Sequence, residues 1–117
     1  MDKRNITKEI NLEMDDPCVD AVVKRLKLEL LTLRHIGIKK VKIVHGVGVI
    51  ADGSTVQNAV RSELFEMARA EKIQAFCPGE QFGPFEAKGK FISELDPSFR
   101  EDEDWAKSNR NITMVSL

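Results

Sequence analysis

The apolar pattern of this chain predicts an α/β fold: a two-layer sandwich in which a four-stranded mixed sheet carries two helices (βαβαββ), with a long insertion before the last strand. Three observations lead there. Helix-period stripes beginning at Val19 and at Val56 each lie between short strand-like runs. Two successive strand–helix–strand units favour parallel pairing with right-handed crossovers. The chain then closes on a strand-like run, Ile112-Thr113-Met114-Val115-Ser116-Leu117.

Each element has its own signal. Residues Ile6 to Met14 alternate loosely around Ile10 and Leu12, which predicts a first strand. Asp15-Asp16-Pro17 reads as a helix entry, with a carboxylate cap and proline in the first turn. Val19, Val22, Val23, Leu26, Leu30 and Leu33 form the buried stripe of the first helix. Gly37 ends it, so the helix stops near Ile36. Val41 to Val44 is a buried strand, and Gly46 to Gly53 a loop. Ser54-Thr55-Val56-Gln57 fits a capping box, with Gln57 reaching back to Ser54. The second helix then buries Val56, Ala59, Val60, Leu64 and Met67. Ile73 to Cys77 is a third strand, stopped by Pro78-Gly79. Gln81 to Arg110 breaks the rhythm with Gly83-Pro84, Gly89 and Asp96-Pro97, and reads as an irregular excursion with a helical turn near Glu101 to Lys107.

With 117 residues, 42% of them apolar, the chain makes one domain over 1–117, with the irregular insertion at about 81–110. A net charge of -1 gives no basic excess, so contact with DNA or RNA would need a local patch. No apolar leader follows Met1-Asp2-Lys3-Arg4 and no apolar stretch is long enough for a bilayer, so a cytoplasmic protein without membrane contact is expected. Cys18 and Cys77 lie far apart without a C-x-x-C pair; both are read as reduced, and no metal site is expected.

The most telling stretch is His45-Gly46-Val47-Gly48, placed after a strand and before a helix. Open α/β sheets put their sites there, because small residues let a ligand approach the backbone and the next helix offers free N–H groups. Gly46 to Ala51 formally fits a dinucleotide fingerprint, but the helix starts too late for the glycines to sit at its mouth. Gly48 to Thr55 has the glycine spacing of a P-loop, yet Ser54 stands where its lysine should be. Hydrolysis of ATP or GTP is therefore rejected, and no cofactor is assigned. His45 is either a general acid or base, or a strand-end histidine bonded to a carbonyl. Lys39, Lys40 and Lys42 flank the second strand, and Arg61 lies on the second helix; together they make either a phosphate-binding patch or ordinary solvated surface. The acidic run Glu101 to Asp104 either repels a polyanion or masks the site when nothing is bound.

Taken with Ile43-Val44-His45-Gly46-Val47-Gly48, this order of elements resembles the Smr (small MutS-related) domain, whose strand ends in an HGxG motif. Val60-Arg61-Ser62-Glu63-Leu64 looks like the family's V-R-x-x-L, and Asn111 to Leu117 like its terminal strand. The resemblance covers roughly Glu9 to Cys77 and Asn111 to Leu117. It implies nucleic-acid binding and, for some members, endonuclease activity. It also implies a sheet with both helices on one face, as in the C-terminal domain of the third bacterial translation initiation factor. The other face would then be open for Phe82, Phe85, Phe91 and Trp105 to cover.

The first motif departs from the family. Its L-D-L-H-G appears as Ile10-Asn11-Leu12-Glu13-Met14, so Asn11 and Glu13 replace the aspartate and histidine linked to nuclease activity. The expected catalytic residues are His45 and Glu13, with Gly46, Gly48, Lys42, Ser54 and Arg61 contacting nucleic acid. The alternative is a non-catalytic protein-interaction module that kept the fold and lost the nuclease chemistry. A homodimer is expected if the terminal strand leaves an exposed sheet edge.

Overall fold

The computed structural model describes residues 6–12, 19–47 and 55–117. Strand β1 (Thr7–Asn11), helix α1 (Val19–His35), strand β2 (Lys40–Val44), helix α2 (Val56–Arg69) and strand β3 (Ala75–Pro78) follow in order. A 3-10 turn (Gly79–Gln81), helix α3 (Ala87–Leu95) and a second 3-10 segment (Pro97–Glu101) precede strand β4 (Ile112–Ser116).

The sheet order is β1-β2-β4-β3. β1 runs parallel to β2, whereas β4 runs antiparallel to both its neighbours, with Val41 opposite Val115 and Phe76 opposite Val115 on the other side. The terminal strand is thus central. The edges are β1 and β3, so the premise offered for a homodimer, an exposed terminal strand, is not met. All five residues of β4 are buried, as a strand covered on both faces requires.

Helices α1 and α2 cover one face. Val22, Leu26 and Leu30 of α1 and Val60, Leu64 and Met67 of α2 pack on Ile10, Val41, Ile43 and Val115. Gly37 takes a left-handed φ of 96° just after α1, which ends at His35. Arg34 Nη1 donates to the carbonyls of Glu71 and Lys72 (3.1 and 2.6 Å), tying the end of α1 to the chain beyond α2. The α2 cap is Thr55, whose hydroxyl accepts from Asn58 N (3.0 Å). Ser54 lies outside the described residues, and Gln57 donates instead to Arg110 O (2.9 Å).

The expected α/β architecture, a four-stranded mixed sheet with α1 and α2 and an insertion before the last strand, is what the chain adopts; the insertion, expected to be irregular, adds a third helix, α3. It also builds a second core on the opposite face from Phe82, Ile92 and Phe99 against Cys77, Ile112 and Met114. Phe82 sits edge-on to both Phe99 (5.9 Å) and Trp105 (5.0 Å). Phe85 and Phe91 do not join this cover and stay exposed. The first turn of α3 carries a glycine, Gly89, because of what lies beneath it. A Cβ there would stand 2.3 Å from Gly83 O and 2.5 Å from Gln81 O, so the helix can approach that backbone only without a side chain.

Candidate functional site at the strand ends

The carboxyl end of β2 meets the amino end of β4, and that junction fixes the loop that begins with His45. The amides of His45 and Gly46 both donate to Asn111 O (2.9 and 3.0 Å). Gly46 turns the chain with φ 68°, a conformation open to glycine at little cost. Leu12 N donates to Val44 O (2.7 Å), bringing the end of β1 to the same place.

The His45 ring points inward, and the residue is 4% exposed. Its Nδ1 lies 2.7 Å from Gly46 O and its Nε2 2.8 Å from Thr113 Oγ1. A carbonyl only accepts, so Nδ1 carries the proton and Nε2 accepts from the Thr113 hydroxyl. Burial is the main cause that pulls the His45 pKa below its ordinary value, so the ring is neutral near pH 7. Thr113 Oγ1 in turn accepts from Arg61 Nε (3.0 Å). The Arg61 guanidinium forks onto Glu80, with Nη1 2.9 Å from one carboxylate oxygen and Nη2 2.7 Å from the other. Its Nη2 also donates to Ile112 O (3.2 Å). Burial pushes the Glu80 pKa upward, but the Arg61 hydrogen bonds overcome this and hold it below the ordinary glutamate value.

Glu80–Arg61–Thr113–His45 is therefore a closed chain of donors and acceptors linking α2, β2, β4 and the turn after β3. Sequence reasoning finds His45 and Arg61 but misses Thr113 and Glu80. Neither carries a local signal: Thr113 sits in an apolar strand and Glu80 in a turn.

Lys42 belongs to the other face. Its side chain points away from α1 and α2, and the residue is 6% exposed. The ammonium lies 2.8 Å from Asp102 and 2.5 Å from Asp104, with Glu103 at 3.7 Å. Burial alone lowers the Lys42 pKa, but the hydrogen bonds to Asp102 and Asp104 reverse this and raise it above the ordinary lysine value. Asp104 shifts down in return: burial opposes ionisation, and Lys42 and Asn109 outweigh it. The acidic run thus folds onto a lysine expected to meet phosphates. Lys40, also buried, donates to Ser98 Oγ (2.6 Å).

Three of the expected residues, His45, Gly46 and Arg61, come together at the strand ends. Lys42 is held elsewhere, and Glu13, Gly48 and Ser54 lie outside the described residues. No group of three His, Cys, Asp or Glu side chains placed to hold a metal ion occurs among the described residues. Cys77 is a free, buried thiol whose pKa burial pushes up to about 12, which removes it as a nucleophile. No described helix is long and apolar enough to cross a membrane.

No protein-family model matches the chain, and no curated protein does. Among solved structures it is similar to the Smr domain of Thermus thermophilus MutS2, with a TM-score of 0.56 and 18% identity, over 94% of this chain and 96% of that one. The likeness is one of fold.

Proposed function

We propose that this chain is a non-catalytic interaction module carried on an Smr-like fold. The observation that carries the reading is the internal engagement of the groups expected to do chemistry. Both ring nitrogens of His45 are bonded within the protein, and its proton faces a carbonyl. Arg61 is forked onto Glu80, and Lys42 is enclosed by Asp102 and Asp104. A general acid or base must reach the proton it transfers, and a phosphate clamp must present its cation; these side chains do neither.

The test is cleavage of supercoiled plasmid and structured RNA, with and without magnesium, by the wild type and by His45→Gln, which can still hydrogen-bond. No cleavage above buffer by either protein is the expected result. Cleavage by the wild type that His45→Gln abolishes would overturn the reading and return His45 to an endonuclease role.

A second reading, nucleic-acid binding without cleavage, has its own support. Arg110 is exposed beside Asn111, the residue that anchors the His45–Gly46 turn, and its carbonyl is held by Gln57 of α2. An exposed cation at a strand-end turn suits a phosphate of DNA or RNA. A low-salt gel shift lost in Arg110→Glu would favour it.

A further inference from the structure

Strand β1 is an edge of the sheet, and no strand pairs with its outer side among the described residues. Leu12 donates its N–H to β2, so the even-numbered residues of β1 bond inward and the backbone groups of Thr7 and Glu9 face outward. Two cavities flank this edge, one on each face of the sheet. On the helix side, about 400 Å³ lies between β1 and α1, with Ile10, Leu28 and Leu33 as its apolar lining and Lys8 and the Arg25–Glu29 ion pair also lining it; Leu28 is 68% exposed. On the other side, about 440 Å³ is lined by four carboxylates (Glu9, Glu101, Asp102 and Glu103) and two ammonium groups (Lys40 and Lys42). Asp102 is bound to Lys42, while Glu9 and Glu101 make no ion pair with a described residue and Glu103 is 86% exposed.

We propose that β1 docks an extended segment of a partner polypeptide in which basic and apolar residues alternate. The segment adds a fifth strand: its apolar side chains enter the groove at Leu28 and Leu33, and its cations enter the trough of Glu9, Glu101 and Glu103. A strand sends successive side chains to opposite faces, so one acidic and one apolar cavity on either side of one edge demand this alternation. The chain holds an internal precedent. β2, on the inner side of β1, reads Lys-Val-Lys-Ile-Val, with Lys42 against the acidic run and Val41 and Ile43 in the helix-side core. A second copy is a poorer occupant, because full antiparallel overlap of two β1 strands sets Glu9 against Glu9.

This inference rests on the interaction-module reading, and its test uses a different readout. A fluorescent peptide of alternating lysine and valine is titrated against the whole chain by anisotropy, beside a glutamate–valine peptide. The lysine–valine peptide should bind saturably, weaken with salt, and protect the Thr7 and Glu9 amides from exchange. Glu9→Lys with Glu103→Lys should weaken it about tenfold, and Leu28→Asp several-fold. All three substitutions are on exposed side chains, so folding is retained. Absence of binding, or binding that ignores these variants, would overturn the proposal. Self-association abolished by Glu9→Lys would overturn it too, by assigning the edge to a second copy. Nucleic-acid cleavage in the parallel assay would instead defeat the module reading while leaving the peptide result to stand.

Discussion

Replacing Lys42 with Met isolates what the acidic run does. The stem keeps its volume, but Asp102 and Asp104 are left facing each other without a counter-ion. The three side chains are 8%, 11% and 17% exposed, so water replaces the ammonium poorly. Removing one partner of a fully buried pair costs about 3–5 kcal/mol. Here both acids keep some solvent contact and Asn109 still donates to Asp104 (3.1 Å), which brings the expected loss to about 2–3 kcal/mol. Glu103 adds little, being exposed and farther away. For a domain of this size the melting temperature should fall by about 10 °C. Urea unfolding followed by circular dichroism gives the free energy directly. The triple variant Lys42→Met, Asp102→Asn, Asp104→Asn should recover most of the loss, because it leaves no uncompensated charge. A single variant within about 1 kcal/mol of wild type would refute the enclosed-pair account, since breaking an exposed ion pair costs about that at most.

The network at the strand ends makes its own predictions. Thr113→Val removes one hydroxyl and leaves His45 Nε2 and Arg61 Nε without that partner; unfolding measurements should show a loss of about 2–4 kcal/mol. Because burial lowers the His45 pKa, the unfolded chain takes up the proton more readily than the folded one, so stability is complete above about pH 6.5 and declines as pH falls, by at most about 1.4 kcal/mol per pH unit. His45→Gln should abolish that phase in a urea series across pH. Glu80 and Asp104 have depressed values, so their contribution should persist to lower pH and be lost only below about pH 4, as a separate phase. Gly89→Ala should destabilise by about 1–3 kcal/mol through the clash with the Gly83 and Gln81 backbone, against the small gain that alanine brings to an ordinary helix; a more stable variant would refute the close approach.

The elements that the sequence reveals are those whose partners are near in the chain. The helical stripes of α1 and α2 report their own buried faces, and Gly37 reports a left-handed turn. β3 begins two residues later than Ile73: the Gln74 amide already donates to Ser116 O, but the strand ladder itself starts at Ala75. What stays hidden is pairing across long separations. The run from Ile112 to Leu117 reads as a strand, but periodicity cannot say which neighbours it has, so its central place between β2 and β3 is not legible. Helix α3 was obscured by Gly89, which reads locally as a breaker and is explained only by the backbone beneath it. At the candidate site, His45 was legible from its position after a β-branched run. Its direction was not, because Thr113 lies 68 residues away. Lys42 and Asp104 are 62 residues apart, and no spacing rule joins them.

The excursion links these findings. By covering β2, β4 and β3 with Phe82, Phe99 and Trp105, it gives the sheet a second core and carries the acidic run onto Lys42. That contact neutralises the cation a polyanion would need on this face. The cover stops before β1, where Thr7 and Glu9 line an open cavity rather than a core. A basic strand is thereby bound on the inside of β1, while the carboxylates of Glu9 and Glu101, which form no ion pair among the described residues, remain toward its outside. The charge left over on this face is negative, so Coulomb attraction there favours a cationic partner over a phosphate backbone. Adding positive charge at Glu9 and Glu103 should therefore affect peptide and nucleic acid in opposite directions, weakening the first and strengthening the second.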